Sequence, residues 1–176
     1  SPETPIVIES GATVDINNPG ATYVGAMASI SRGLATHEKT WIVAGDGADG
    51  NGALQNNGGR NYYMLGRIRL AGDASIGGSG QLDITPHTLS AVASDRASID
   101  CVDGVSAALT IKNTVKIGYC DIDLKAIKVS AGANFAVTRY SKIKTDLENG
   151  GCITLADGSK FECERVIEET LRDTAF

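Results

Sequence analysis

The feature that most restricts the fold of this chain is an alternation of apolar and polar residues that breaks after every few positions. Between residues 114 and 137 the alternation runs through TVKIG, CDIDL, AIKV and NFAV, and its phase slips between runs. A single long strand would keep its phase, because a slip of one residue sends every side chain to the opposite face. The pattern therefore predicts a mainly β fold of short strands and corners. We interpret it as a short-stranded parallel β-helix (β-solenoid) with a short terminal helix, with an antiparallel β-sandwich as the alternative.

Glycine is the residue type that marks the predicted corners. The chain has 21 glycines in 176 residues, above the usual share of about 7%. A glycine followed closely by a large residue recurs in GATV, GATYV, GANF and GSKF. We interpret each as a corner at glycine, after which a strand restarts with an inward side chain. The residues predicted to be core on this basis are Val14, Tyr23, Phe135 and Phe161. A spacing near twenty residues is indicated by Cys101 and Cys120, but no strict period can be aligned.

The chain is predicted to form one domain with three segments. Residues 1–65 form an N-terminal segment that holds a candidate short helix at 26–41 and a Gly-rich loop at 44–61. Residues 66–163 form the β-helical body. Residues 164–176 have apolar positions near one helical face, which predicts a C-terminal amphipathic helix.

Charge and hydropathy restrict the partners. The net charge of −5 argues against nucleic acid or an acidic membrane as the main partner, and leaves a neutral or acidic glycan open. No apolar run approaches the ~18 residues that a membrane span needs. The chain opens with Ser-Pro and no Met, from which we expect a longer parent chain.

The four cysteines stand in apolar alternation and have no C-x-x-C spacing. They are Cys101, Cys120, Cys152 and Cys163. Only His37 and His87 could join them, so a zinc site is poorly supported. We predict buried reduced thiols, with disulfides as the alternative.

The stretch GDGADGNG at 45–52 is the one segment that resembles a metal loop. Asp46, Asp49 and Asn51 could supply oxygen atoms to a calcium ion. The spacing matches no EF-hand loop, and no Glu follows at the bidentate position. The alternative is a turn-rich loop without metal.

Aromatic residues border that loop and suggest a sugar site. Trp41 precedes it, and Arg60, Tyr62 and Tyr63 follow it. Rings that stack on sugars, beside charged groups that make hydrogen bonds, would form a glycan-binding site. The alternative is that these few large side chains pack in an Ala-rich core.

No catalytic residue is assigned. A glycoside hydrolase needs two carboxylates about 5–10 Å apart. The candidates by chemistry are Asp95, Asp100, Asp103, Asp121 and Asp123. Asp121 and Asp123 are predicted to point outward on the same strand face, where an ordinary solvated surface is the alternative. Neither histidine lies in a nucleophile motif, so the balance favours a protein that is not an enzyme.

The segments SGATVDI, AGANFAV and ADGSKFEC, each a glycine-led corner before an alternating strand, resemble bacteriophage tailspike and tail-fibre proteins. The resemblance implies a β-helical or interleaved β-structured homotrimer in the virion tail, assembled in the host cytoplasm. It also implies contact with bacterial surface polysaccharide, which many members hydrolyse. We therefore expect a non-enzymatic structural or receptor-binding module. The alternatives are a fragment of a polysaccharide-degrading tailspike enzyme, or a capsid-decoration or adhesin β-sandwich domain.

Overall fold

The computed structural model describes residues 4–16, 40–59, 65–85 and 96–163, apart from residues 139, 147 and 149. Within these ranges the chain is mainly β, and its regular elements are fifteen strands. The strands are Ile6–Ile8 (β1), Val14–Asp15 (β2), Thr40–Gly45 (β3), Leu54–Gln55 (β4), Arg67–Gly77 (β5), Leu82–Ile84 (β6), Ala97–Cys101 (β7), Ala108–Ile111 (β8), Thr114–Gly118 (β9), Cys120–Leu124 (β10), Ala126–Val129 (β11), Asn134–Thr138 (β12), Lys142–Thr145 (β13), Ile153–Leu155 (β14) and Lys160–Cys163 (β15).

The strands stack in three parallel layers, which we call faces A, B and C. Face A contains β1, β3, the first part of β5, β7, β10 and β13; face B contains β2, β4, the last part of β5, β8, β11 and β14. Face C contains β6, β9, β12 and β15. Every pairing in the described residues is parallel. The prediction of a parallel β-solenoid is therefore confirmed, and the antiparallel sandwich is wrong.

The core is built from apolar side chains that occupy the same position in successive coils. On face A this inward ladder is Ile6, Trp41, Ile68, Ile99, Ile122 and Ile143. On face B it is Val14, Leu54, Ile76, Ile111 and Val129, followed in register by the half-exposed Leu155. On face C it is Leu82, Val115, Phe135 and Phe161. Rungs inside the stack are in register with the rung before and after, and burial of each fully buried aliphatic side chain contributes about 1.5–3 kcal/mol.

Coil length varies, which explains why no strict period is visible in the sequence. Along the face A ladder it falls from 35 residues between Ile6 and Trp41 to 21 between Ile122 and Ile143. The extra residues enter before face A of the next coil, between β2 and β3, β4 and β5, and β6 and β7. From β9 to β10 the same connection is the single residue Tyr119. The inward ladders begin at Ile6. The stacked coils therefore start in the segment 1–65, before the predicted β-helical body at 66–163.

Polar side chains bond the coils together at the corner between faces B and C. The amide of Asn56, which is fully buried, donates to the carbonyl of Gln81 at 2.9 Å in the next coil. Asn113, one coil further, donates to the carbonyl of Gly78 at 2.5 Å. Gly78 has a φ of +100°, and a Cβ there would lie 2.4 Å from the carbonyl oxygen of Asn56. Glycine is therefore required where two coils approach this closely.

The residues predicted to be core differ in how deeply they are buried. Phe135 is fully buried, as predicted. Val14 and Phe161 are partly buried and pack against the core, whereas Tyr23 lies outside the described residues.

Two segment predictions need correction. The stretch 44–61 is not one long loop, because Leu54 and Gln55 form the buried strand β4. At the end of the candidate helix 26–41, Thr40 and Trp41 begin β3; the rest of that segment and the predicted helix at 164–176 lie outside the described residues.

All four cysteines are free thiols. Cys120 is fully buried, and burial raises the pKa of its thiol well above the usual range. Cys101 is half-buried, and burial raises its pKa too. Cys152 and Cys163 are exposed, so the prediction of burial is wrong for these two, which lie in the last coil.

Among the residues that the structure describes, none belongs to a helix of the length and hydropathy that would cross a membrane.

Candidate functional site

The outward side of face A carries rows of charged residues. Strand alternation directs the apolar ladder inward, so the intervening positions face solvent. The charged members of the first part of β5 and of β7, β10 and β13 are Arg67, Arg69, Asp100, Asp121, Asp123, Lys142 and Lys144. Opposite charges are partners across the coils, since Arg69 pairs in register with Asp100, and Asp123 with Lys144. Such cross-strand pairs stabilise the stacking of neighbouring coils.

Arg69 joins two coils at the end of this surface. Its Nε donates to Asp100 at 2.7 Å, and its Nη2 donates to Asp103 at 2.8 Å and to the carbonyl of Cys101 at 2.7 Å. The hydrogen bond to Asp103 is the main reason that the pKa of Arg69 is raised. The same bond lowers the pKa of Asp103.

Arg67 lies 3.5 Å from Asp100, and Arg96 and Lys144 make two further ion pairs of the surface. Arg96 binds both carboxylate oxygens of Asp121, with Nε 2.8 Å from Oδ2, and also donates to the carbonyl of Tyr140. Arg96 therefore joins three coils through one guanidinium. Lys144 donates to Asp123 at 2.9 Å, and this bond raises the pKa of Lys144.

Asp121 and Asp123 point outward on the same face of β10, as the alternation predicts. They are ion-paired with different cations, Arg96 and Lys144. The structure therefore assigns each carboxylate a partner in a neighbouring coil.

A groove of about 730 Å³ follows the corner between faces A and B. It runs over the last three coils, from the β7–β8 connection to the β13–β14 connection. Its acidic lining is Asp100, Asp123, Asp146 and Glu148. Lys125 and Lys144 also line it, and the partly buried Val105 provides apolar surface. A cleft that combines carboxylates, ammonium groups and apolar patches can bind a hydroxyl-rich ligand through many hydrogen bonds.

Of the candidate calcium residues, Asp49 and Asn51 are joined by hydrogen bonds within their own corner. Asp49 accepts from the backbone and side-chain amides of Asn51, each at 3.0 Å, and from the side chain of Gln55 at 2.7 Å. The backbone bond from Asn51 is the main reason that the pKa of Asp49 is lowered. Asp46 lies 3.4 Å from the ammonium of Lys112. In the described part of the chain, no three His, Cys, Asp or Glu side chains come together as a metal site would require.

Of the residues predicted to bind glycan, only Trp41 lies in the described part of the chain. Trp41 is only 3% exposed and stacks inside the solenoid between Ile6 and Ile68. Its ring is therefore part of the core and cannot stack on a sugar at the surface. The other candidates, together with Asp95 and both histidines, lie outside the described residues: Arg60, Tyr62, Tyr63, His37 and His87.

A pair of tyrosines that the sequence analysis missed lies at the opposite border of face A. Tyr119 and Tyr140 occupy the corner before β10 and β13, with ring centroids 5.4 Å apart and planes tilted by 30°. The signal that could have found them is a Tyr three residues before the inward Ile, in YCDI and YSKI. Arg96 holds the equivalent position before Ile99.

Comparison of the chain with protein-family models, with curated proteins and with solved structures finds no significant match in any of the three.

Proposed function

We propose that this chain is a non-enzymatic receptor-binding module of a bacteriophage tail spike or fibre. It acts as a homotrimer in the virion tail and contacts bacterial surface polysaccharide. The observation that carries the proposal is the groove of about 730 Å³ beside the charged side of face A.

The shape and chemistry of this region suit a long, repeating, hydroxylated ligand. The groove crosses three stacked coils, so it offers similar positions at the strand spacing of about 4.8 Å. Its carboxylates accept hydrogen bonds from hydroxyl groups, and Lys125 and Lys144 donate to ring and hydroxyl oxygens. The ion pairs of Asp100 with Arg69 and of Asp123 with Lys144 support binding rather than catalysis, because these carboxylates have structural partners.

A binding screen tests the polysaccharide proposal. The wild-type protein is passed over immobilised capsular and O-antigen polysaccharides, and we expect saturable binding to at least one of them. Lys144→Glu should weaken that binding, because it repels Asp123 inside the groove. The matched control is Lys160→Glu, the same charge change at an exposed position on face C. Equal binding by both variants, or no binding by the wild type, would contradict the proposal.

The trimer proposal rests on the exposed end of the solenoid. Within the described ranges no strand pairs with the outer edges of β13, β14 and β15, and Leu155 is 50% exposed there. Open strand edges attract other chains, and a closed homo-oligomer removes them. Light scattering should give three times the chain mass of 18.3 kDa. A monomer at micromolar concentration would refute this part of the proposal.

The second candidate function is a polysaccharide-degrading enzyme, which the four carboxylates of the groove favour. It predicts release of reducing ends from the bound polysaccharide, and loss of that release in Asp100→Asn or Asp123→Asn. Such a result would replace the non-enzymatic proposal, whereas binding without cleavage would support it.

Calcium at Asp46, Asp49 and Asn51 is a separate proposal. It predicts that calcium raises the unfolding midpoint of the wild type relative to EDTA, and that Asp49→Asn abolishes the increase. An identical midpoint in both buffers would remove calcium from the account.

A further inference from the structure

Two tyrosines have backbone conformations that tyrosine rarely adopts. Tyr119 has a φ of 50° and Tyr140 a φ of 54°, and they are the non-glycine residues with positive φ in the described part of the chain. Bulky residues are uncommon in this region, which glycine and asparagine occupy far more readily. Ten glycines elsewhere in the described chain do adopt positive φ. Tyrosine at two successive equivalent corners therefore points to a use for the ring itself.

The two rings form one stack with an inner and an outer member. Tyr119 is 8% exposed, whereas Tyr140, in the next coil, is 49% exposed. The inner ring thus supports the outer one, and the described residues contain no further coil beyond Tyr140. A supported, half-exposed ring offers apolar surface with little loss of side-chain entropy on binding.

Two of the charges beside the stack compensate each other. Arg96 directs its guanidinium to both oxygens of Asp121 and to the carbonyl of Tyr140. Asp121 remains partly exposed, so its oxygens can still accept from a hydroxyl group. The position next to Asp121 in register is the exposed Lys142. The surroundings of the stack therefore offer hydrogen-bonding groups: Arg96 and Asp121 as an ion pair, and Lys142 as an exposed ammonium.

We propose that Tyr140, supported by Tyr119, is a stacking platform for the apolar face of a pyranose ring, with Asp121 accepting from a ring hydroxyl. The inference rests on the proposed function and specifies it, because it adds a sugar subsite on the border of face A away from the groove.

The probes are neutral hexasaccharides of glucose, mannose and galactose, with hexagalacturonate as the charged counterpart. Titration calorimetry of the wild type should show saturable binding of at least one of these hexasaccharides. Tyr140→Asn should weaken that binding roughly five- to tenfold, equivalent to about 1.0–1.4 kcal/mol. Tyr140→Phe keeps the ring and should bind within about threefold of the wild type, since stacking is retained.

Stability separates a binding role from a folding role. Asn adopts positive φ readily, so the unfolding midpoint of Tyr140→Asn should stay within about 4 °C of the wild type. The platform would be overturned if the wild type bound none of the hexasaccharides at about 10 mM, which is far above useful affinities. Wild-type affinity in Tyr140→Asn would overturn it too, and so would a large loss of stability in that variant.

The two proposals fail in different ways. If Lys144→Glu loses the bacterial polysaccharide while Tyr140→Asn retains it, the groove stands and the platform is wrong. If the wild type binds a hexasaccharide through Tyr140 but none of the bacterial polysaccharides, the platform stands and the receptor-binding function is wrong.

Discussion

Truncation of Phe135 should be among the most damaging single changes to the solenoid. Its side chain is fully buried in the core, and it heads the largest fully buried side chains of the described chain. It lies in register between Val115 and Phe161, and its ring centroid is 5.6 Å from that of Phe161. Phe135→Ala should therefore lower the free energy of unfolding by about 3–5 kcal/mol, the sum of lost burial and a residual cavity. Domains have only about 5–15 kcal/mol in total, so a folded but weakened protein is expected.

Urea denaturation followed by circular dichroism measures this loss. The matched control is Phe161→Ala, which removes the partner ring at a partly buried position of the last coil. Because fewer atoms are buried there, its cost should be about 1–2 kcal/mol. A loss below about 1 kcal/mol for Phe135→Ala, or an equal loss for both variants, would refute the stacking of face C that the argument assumes.

Three further predictions concern charge, thiols and the Asn corner. Asp103 has a pKa lowered by Arg69, so its contribution to stability is present above pH 3.8 and is lost as the pH falls through the folded-state value; acid titration of Asp103→Asn should show less of this loss than the wild type. Cys152 should react with a thiol reagent in the native protein, whereas Cys120 should react only on unfolding, because burial excludes reagent and raises its thiol pKa; mass spectrometry of labelled peptides distinguishes them. Asn56→Ala should cost about 1–3 kcal/mol in urea denaturation, because it leaves partly buried backbone groups without their side-chain partner, and a cost near zero would contradict the hydrogen bonds at that corner.

The strands of the solenoid could be predicted where a face contributes several alternating residues. The runs around Ile117, Ile122 and Phe135 predicted strands and their inward side chains, because a period of two is visible within five residues. The corners were predicted where the phase of this alternation slips. Strand β4 could not be predicted, because Leu54 and Gln55 are only two residues and show no alternation. Their burial depends on neighbouring coils that are distant in sequence.

The candidate surface was only partly predictable. The outward direction of Asp121 and Asp123 follows from alternation, but their cations, Arg96 and Lys144, are set by coil stacking. Coils of unequal length hide that stacking in the sequence. The burial of Trp41 has the same origin, since its place between two inward isoleucines depends on the register of strands 27 or more residues apart.

The measurement that tests the central claim most directly is hydrogen–deuterium exchange of the wild type with and without a polysaccharide that it binds. The account predicts that protection gained on binding is confined to two places. These are the groove between faces A and B, in residues 100–106, 123–125 and 144–146, and the opposite border of face A, in residues 140–143. Face C, in residues 114–118 and 134–138, should exchange equally in both states. Protection on face C without protection at the groove would contradict the account.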